Sequence, residues 1–339
     1  MTIDGTPPES GALDRLSELL SHRGPDGKGQ HLSDDVGLVQ TRLAIIDLKT
    51  GDQPIYARDS TRSIKAALVA NGEIYNYIEL KHELDQISFS TGSDCELPLH
   101  LYLRHGQGFA KQLRGMYAIA IHDLKAKQLI LSRDPFGIKP LYYCETDSGF
   151  VFASEAQAIL RAGLVRSKLN GAQRDELMQL QFTTGKHTVF QDIFRLLPGE
   201  TLVVQRGRIV SRSYQRALPV EERKHIQESD ALKELDAALM DSVNAHQRSD
   251  VPYGMFFSGG IDSSVLLAIM SRLNERPVKA LTAGFSGSIV CDERKHARTV
   301  ADAVGAAHIE VEFSEKDFFA LLPKIASVVD DPTADYAIL

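Results

Sequence analysis

Residues 257–264 read F-S-G-G-I-D-S-S, between an apolar run at 251–257 and another at 265–270. Glycines at 259 and 260 let a backbone come close to a ligand, and N–H groups at a helix start attract an anion. Ser258, Ser263 and Ser264 add hydroxyl donors, and Asp262 adds a carboxylate suited to a magnesium ion. Together these residue types suit a phosphate held at a strand–turn–helix junction. The stretch is not a Walker A loop, because it carries no G-K-[ST]. It also lacks the G-x-G-x-x-G spacing of a dinucleotide loop. A glycine-rich turn with a serine cap would use the same residues, so spacing alone leaves both readings open.

The elements that must position this loop follow from hydrophobic periodicity. After Tyr214 comes a charged stretch with Pro219, which reads as a linker over 215–230. Leu232, Leu235, Leu239 and Val243 then recur at helical spacing, with Ser229 or Asp230 as the expected N-cap. Strands at 253–257, 278–284 and 308–313 alternate with helices at 262–273, 292–304 and 315–329, the pattern of a parallel α/β sheet. The chain before Tyr214 has another character. Apolar or alternating runs at 65–72, 116–123, 128–134, 150–154 and 201–205 read as strands, with a hairpin turn at 205–209. Helical patterns at 79–84 and 97–104 interrupt them. The expectation is a first domain over 1–214 rich in antiparallel sheet and a second, α/β domain over 231–339.

Composition narrows the class. A chain of 339 residues with 43% hydrophobic and 24% charged residues has the makings of two globular domains with full cores. A formal net charge of −7 argues against a general nucleic-acid or membrane-surface binder. The start, M-T-I-D-G-T-P-P-E-S-G, lacks the basic and apolar regions of a signal peptide, and no apolar run has the length of a spanning helix. Cys95, Cys144 and Cys291 form no C-x-x-C pair, which suits a cytoplasmic setting without disulfides or structural zinc.

S-G-G-I-D-S-S resembles the pyrophosphate-binding loop of the adenylating ATP pyrophosphatases, of which asparagine synthetases are one group. The resemblance implies that Ser258, Gly259, Gly260, Asp262, Ser263 and Ser264 bind ATP, with Phe257 beside them and magnesium on Asp262. It also implies that Ala283 offers backbone to adenine, although on its own it reads as an ordinary strand residue. Upstream, H-R-G-P-D-G (22–27), R-L-A-I-I-D (42–47), N-G-E-I-Y-N (71–76) and G-S-D-C-E (92–96) resemble, in this order, the glutaminase domain of class II amidotransferases. R-D-P-F-G-I-K-P-L-Y (133–142) and F-A-S-E (152–155) extend the likeness. Singly, Asn71-Gly72 reads as a turn and Arg42 as a solvated charge.

The resemblance implies an Ntn-hydrolase-like αββα glutaminase domain followed by a parallel, adenine-nucleotide α-hydrolase-like synthetase domain. Arg42 would take glutamine's α-carboxylate through its planar fork, Asp94 the α-ammonium, and Glu73 would lie nearby. Asn71 and Gly72 would form the oxyanion hole, where one donor is worth roughly 3–4 kcal/mol. Ammonia from glutamine would then displace AMP from an ATP-activated carboxylate, that of aspartate or of a peptide, polysaccharide or β-lactam-type acceptor. The resemblance also admits a homodimer. Family members begin M-C-G-I-A-G and use that cysteine as nucleophile. This sequence begins M-T-I-D-G, has no cysteine before Cys95, and is short by about a first strand ahead of H-R-G-P-D. Thr2 lacks the G-I-A-G context, and Cys95 reads as a packed residue. The family's later G-E-G-G-D-E motif is also absent, with Leu339 the last residue. The expectation is a chain that carries the family's binding residues but is inactive as written, a fragment or a binding module.

Overall fold

The computed structural model describes all residues except 167, 219, 221–224, 286–291 and 333–339. Pro219, Cys291 and the stretch T-A-D-Y-A-I-L therefore lie outside the described residues. Backbone contacts divide the chain into two compact units. The first holds Met1–Val220 and residues 329–332, and the second the described residues between them.

The first unit runs in order through α1 (Ser10–Leu19), β1 (Gly27–Ser33), β2 (Val36–Arg42), β3 (Ile55–Arg58), β4 (Ile64–Ile74) and α2 (Tyr77–Glu83). α3 (Leu97–His105), β5 (Gly115–Asp123), β6 (Gln128–Arg133), β7 (Tyr142–Thr146) and β8 (Gly149–Ala153) follow. α4 (Ala156–Arg161), α5 (Gly171–Leu180), β9 (Phe194–Arg195), β10 (Glu200–Gln205) and β11 (Arg208–Tyr214) complete it. The main sheet is antiparallel in the order β11-β10-β6-β5-β4-β3. β1–β2 and β8-β7-β9 form two smaller antiparallel sheets.

Strand periodicity explains the layering. On β4, Ala66, Leu68 and Ala70 join Leu97, Leu99, Leu101 and Phe109 in one core. Ala67 and Val69, which point the other way, join Val36, Leu38, Tyr143 and Phe150 in a second core. A third core buries Leu16, Ala156 and Ile159 against Tyr142 and Cys144. The order is helices, main sheet, smaller sheets, helices. This is the expected αββα arrangement, and it explains why β4 reads as an unbroken apolar run: both its faces are covered.

The second unit contains α6 (Glu228–His246), β12 (Gly254–Phe256), α7 (Ile261–Leu273), β13 (Lys279–Phe285), α8 (Arg294–Ala303), β14 (Ala307–Phe313) and α9 (Glu315–Val328). Its sheet is parallel, in the order β12-β13-β14, as alternating strand and helix requires. Phe257, Leu267, Met270, Ala280 and Ala297 are buried together. One boundary needs correcting. The residue that caps α6 is Gln227, so Ser229 and Asp230 lie within the first turn, where their side chains bias helix start without serving as the cap. Of the four residues expected at helical spacing on α6, Leu239 and Val243 pack into the core, whereas Leu232 and Leu235 are exposed.

Candidate functional site

Asn71-Gly72 does not end its strand. β4 continues to Ile74, and Asn71, Gly72 and Glu73 pair with Ala118, Tyr117 and Met116 on β5. Glycine at 72 has a steric cause. A Cβ there would lie 2.1 Å from the Met116 carbonyl oxygen and 2.6 Å from the Tyr117 Cα. Gly115 is the reciprocal case, because its Cβ would lie 2.2 Å from the Glu73 carbonyl oxygen. The two glycines let β4 and β5 approach closely where the polar residues emerge.

A cavity of about 340 Å³ opens at this end of the sheet. Arg42, Asn71, Gly72, Glu73 and Asp94 all border it, so the structure brings together the five residues expected to meet glutamine. Asn71, Gly72 and Glu73 come from β4, whereas Asp94 and Arg42 are placed by other local devices. Asp94 begins a short 3-10 turn capped by Ser93, whose hydroxyl accepts from the Cys95 N–H, and its Oδ2 accepts from the Ile74 N–H at 2.6 Å. Burial raises the Asp94 carboxyl against these bonds. Burial and the Asp94 charge raise Glu73 as well, with Lys139 opposing them. Two carboxyls lifted in one cavity favour a bound cation such as an ammonium group.

Arg42 is not a solvated charge. Its side chain is only 10% exposed, and its guanidinium donates to Asp52 Oδ1 at 2.8 Å and to the carbonyls of Ile46 and Asp47. Asp52 is 81% exposed, so this pair is the replaceable one. Asp47 fixes the loop that follows, accepting from the N–H groups of Thr50 and Gly92 at 2.9 Å each. That ties R-L-A-I-I-D to G-S-D-C-E.

The stretch R-D-P-F-G-I-K-P-L-Y (133–142), which carries no expected contact with glutamine, braces the cavity rim. Asp134, fully buried, accepts from the N–H groups of Tyr117, Phe136, Ile138 and Lys139 at 3.0–3.2 Å. Arg133 donates to the carbonyls of Gly137, Lys139 and Leu196. Between them they hold the loop that carries Lys139 to the cavity rim. An aspartate ahead of Pro-x-Gly is a signal for such a side-chain-capped turn.

The two candidate nucleophiles are otherwise engaged. Thr2 does not border the cavity, and its hydroxyl donates to the Thr6 carbonyl at 2.5 Å. Cys95 borders it, but its thiol points to the Gly72 carbonyl at 3.7 Å, and burial, with the Asp94 charge, pushes it well up. Met1 also lines the cavity, its amino group bonded to the Phe150 carbonyl.

In the second unit the loop follows β12 directly. The buried Phe257 donates its N–H to Leu281, and Gly260 stands at the N-cap of α7 with no side-chain cap. Ser258 Oγ lies 3.1 Å from Ser263 Oγ and accepts from the Gly260 N–H, while Ser264 Oγ donates to the Gly259 carbonyl. The hydroxyls thus brace the loop. Gly259 has φ of +80°, and a Cβ there would crowd Ala297 at 3.1 Å. Ser258, Gly260 and Asp262 face outward, and the first-turn N–H groups of α7 carry no side-chain cap, which fits a phosphate. Ala283 lies on β13 opposite Val311, next to Thr282, whose hydroxyl donates to the Phe257 carbonyl at 2.6 Å. Among the described residues no three His, Cys, Asp or Glu form a metal cluster. No described helix is long and apolar enough to cross a membrane.

Residues 2–215 match a family model described as a glutamine amidotransferase domain, and residues 234–339 one described as asparagine synthase. The chain is 36% identical to glutamine-hydrolysing asparagine synthetase 1 of Bacillus subtilis, over 96% of this chain and 50% of that protein. A putative asparagine synthetase 2 of Methanocaldococcus jannaschii is 32% identical over 96% of this chain and 66% of its own length. Asparagine synthetase B of Escherichia coli is 34% identical over 89% and 51% respectively. The chain spans about half the length of the Bacillus and Escherichia relatives.

Proposed function

This chain belongs to the glutamine-hydrolysing asparagine synthetase family, and on that premise we propose that its first unit binds glutamine and its second binds ATP. One observation carries the glutamine reading: Arg42, Asn71, Gly72, Glu73 and Asp94 border a single cavity. Arg42 takes the α-carboxylate in exchange for Asp52, and Asp94 with Glu73 takes the α-ammonium. The Asn71 amide and Gly72 N–H face the side-chain carbonyl, where charge develops on attack. Ser258, Gly259, Gly260, Ser263 and Ser264 hold the pyrophosphate portion of ATP, and Asp262 shares a magnesium ion with its oxygens. ATP there serves to activate a carboxylate for ammonia, with aspartate as the acceptor we propose.

Titration calorimetry with glutamine tests the first unit. The chain should bind it, and Arg42→Ala should weaken binding by about a hundredfold, the loss of a charge-assisted pair. Equal affinity in the variant sinks the assignment. A second reading, binding without cleavage by the residues present, is favoured by Cys95, which among the described residues is the one cysteine at the cavity and whose thiol burial holds protonated. Release of glutamate from glutamine by the purified chain refutes that second reading.

A further inference from the structure

Two stretches with unusual polar detail, H-R-G-P-D-G and F-A-S-E, have no part in the glutamine contacts proposed above, yet they meet. Glu155 Oε1 lies 2.9 Å from His22 Nε2 and accepts from Arg23 Nη1 at 3.0 Å. The carboxylate is buried, whereas both partners are partly open to solvent. Beyond His22 and Arg23 the chain turns through Gly24, where a Cβ would lie 2.2 Å from the Thr41 carbonyl carbon and 2.4 Å from the Arg42 nitrogen. Thr41 Oγ1 donates to the Leu20 carbonyl at 3.0 Å, and the Asp26 N–H donates to the Arg42 carbonyl at 2.9 Å. Asp26 Oδ2 also accepts from the Ala44 N–H at 2.9 Å. The turn at 20–26 is therefore pressed along the backbone that carries Arg42.

On its other side Glu155 immediately precedes α4. The first two N–H groups of that helix, from Ala156 and Gln157, both donate to the Asp330 carboxylate at 2.6 Å. The Gln157 side chain donates to the Val329 carbonyl at 3.0 Å. Asp331 pins the same segment, pairing with Arg195 and accepting from the Tyr142 hydroxyl at 3.1 Å. α4 has no cap of its own, because the Glu155 side chain is spent on His22 and Arg23. A carboxylate from 174 residues further along the chain takes that place. Burial, with the adjoining charges of Glu155 and Asp331, lifts the Asp330 carboxyl to about 6 despite its two N–H donors.

We infer that Glu155 is a positioning residue for Arg42, clamping the turn at 20–26 onto the Thr41–Arg42 backbone, and that Asp330 sets Glu155 through the start of α4. The inference rests on the reading of the cavity as a glutamine site. It assigns the two acidic groups a common task in series, not two separate contributions to stability.

The test uses the full chain in four forms: unaltered, Glu155→Gln, Asp330→Asn and the double variant. Glutamine affinity and amide hydrogen exchange without ligand are both measured. Each single variant should weaken glutamine by about tenfold, the scale of one lost charge-assisted bond. The double variant should be no weaker than the poorer single one, because the residues act through one path. Exchange should quicken at Asp26 and Ala44 while the amides of β5 stay protected, which separates loosening of the turn from unfolding. Glu155→Asp should restore part of the affinity. Additive losses in the double variant, or unchanged exchange at Asp26 and Ala44 in Glu155→Gln, overturn the inference. If the unaltered chain binds no glutamine, the functional proposal fails, and exchange still decides whether Glu155 clamps the turn.

Discussion

At the scale of single residues, the cavity is defined by competition for Arg42. Three of the five donors of its guanidinium go to Asp52 and two carbonyls, and the exposed Asp52 carboxylate is the partner that a ligand carboxylate would displace. An ion pair to an exposed carboxylate is worth about 0–1 kcal/mol, whereas hydrogen bonds to a charged group in a shielded site reach about 1.5–3 kcal/mol. On the proposed reading, the glutamine carboxylate gains the better of this exchange. Asp52→Asn should then tighten glutamine binding by about two- to fivefold, the factor that loss of a competing surface pair allows. Calorimetry at matched ionic strength measures it, and a weaker complex would mean that Asp52 orients the guanidinium instead of guarding it. Arg42 and Asp94 were legible only through the resemblance of their motifs, since Arg42 alone reads as a solvated charge, and their partners were not legible. Asp52, Asp47 and Lys139 reach the site through loops whose course depends on contacts far along the chain, and no local pattern encodes that.

At the scale of elements, what the sequence disclosed was periodicity. The runs at 116–123 and 128–134 are β5 and β6 almost residue for residue, because apolar strands covered on both faces leave an unmistakable run. The hairpin β1–β2 left no such signal, since the inward positions of K-G-Q-H-L-S are glycine, the buried His31 and a serine instead of apolar residues. Asn71-Gly72 misled for a different reason. Its glycine serves close strand approach rather than a turn, and both uses look alike in one dimension. That difference can be measured. Gly72→Ala would place a methyl group inside the contact distance of the Met116 carbonyl and force β4 from β5. The cost should be about 1–3 kcal/mol of stability, as for overpacking elsewhere, read as a lower urea midpoint with an unchanged slope. A turn glycine would tolerate alanine at a smaller cost, so an unshifted midpoint rejects the close-approach account.

At the scale of the first unit as a whole, a buried imidazole pair couples its layers to pH. His31 on β1 and His122 on β5 are both buried, with His31 Nε2 3.1 Å from His122 Nδ1 and the Tyr56 ring tilted against His31 at 5.7 Å. Burial, then the neighbouring His31, lowers His122 to about 4, and burial lowers His31 against the pull of Asp34. The folded unit thus resists protons that the unfolded chain accepts near 6.5. Stability from this pair is complete above about 6.5 and is lost as pH falls towards 4, on the order of 3 kcal/mol for His122 alone. Two carboxyls act in other windows. Asp330, raised to about 6, favours the folded state as pH falls through 6 towards 4, so it partly offsets the imidazoles. Glu96 is held to about 2, because bonds from His100, Ser90 and Thr91 outweigh its burial. Its stabilisation is lost only below about 4.5. The imidazole contribution therefore has to be read as a difference between chains. Urea unfolding of the unaltered protein and of His122→Gln at pH 7 and pH 5 supplies it. The substitution costs stability at pH 7, and the gap should narrow by about 1–2 kcal/mol at pH 5, where the native imidazole pair has lost part of its advantage. A gap of equal size at both pH values would show that the pair is protonated alike in the folded and unfolded chain, and the coupling of layer packing to pH would then have to lie elsewhere.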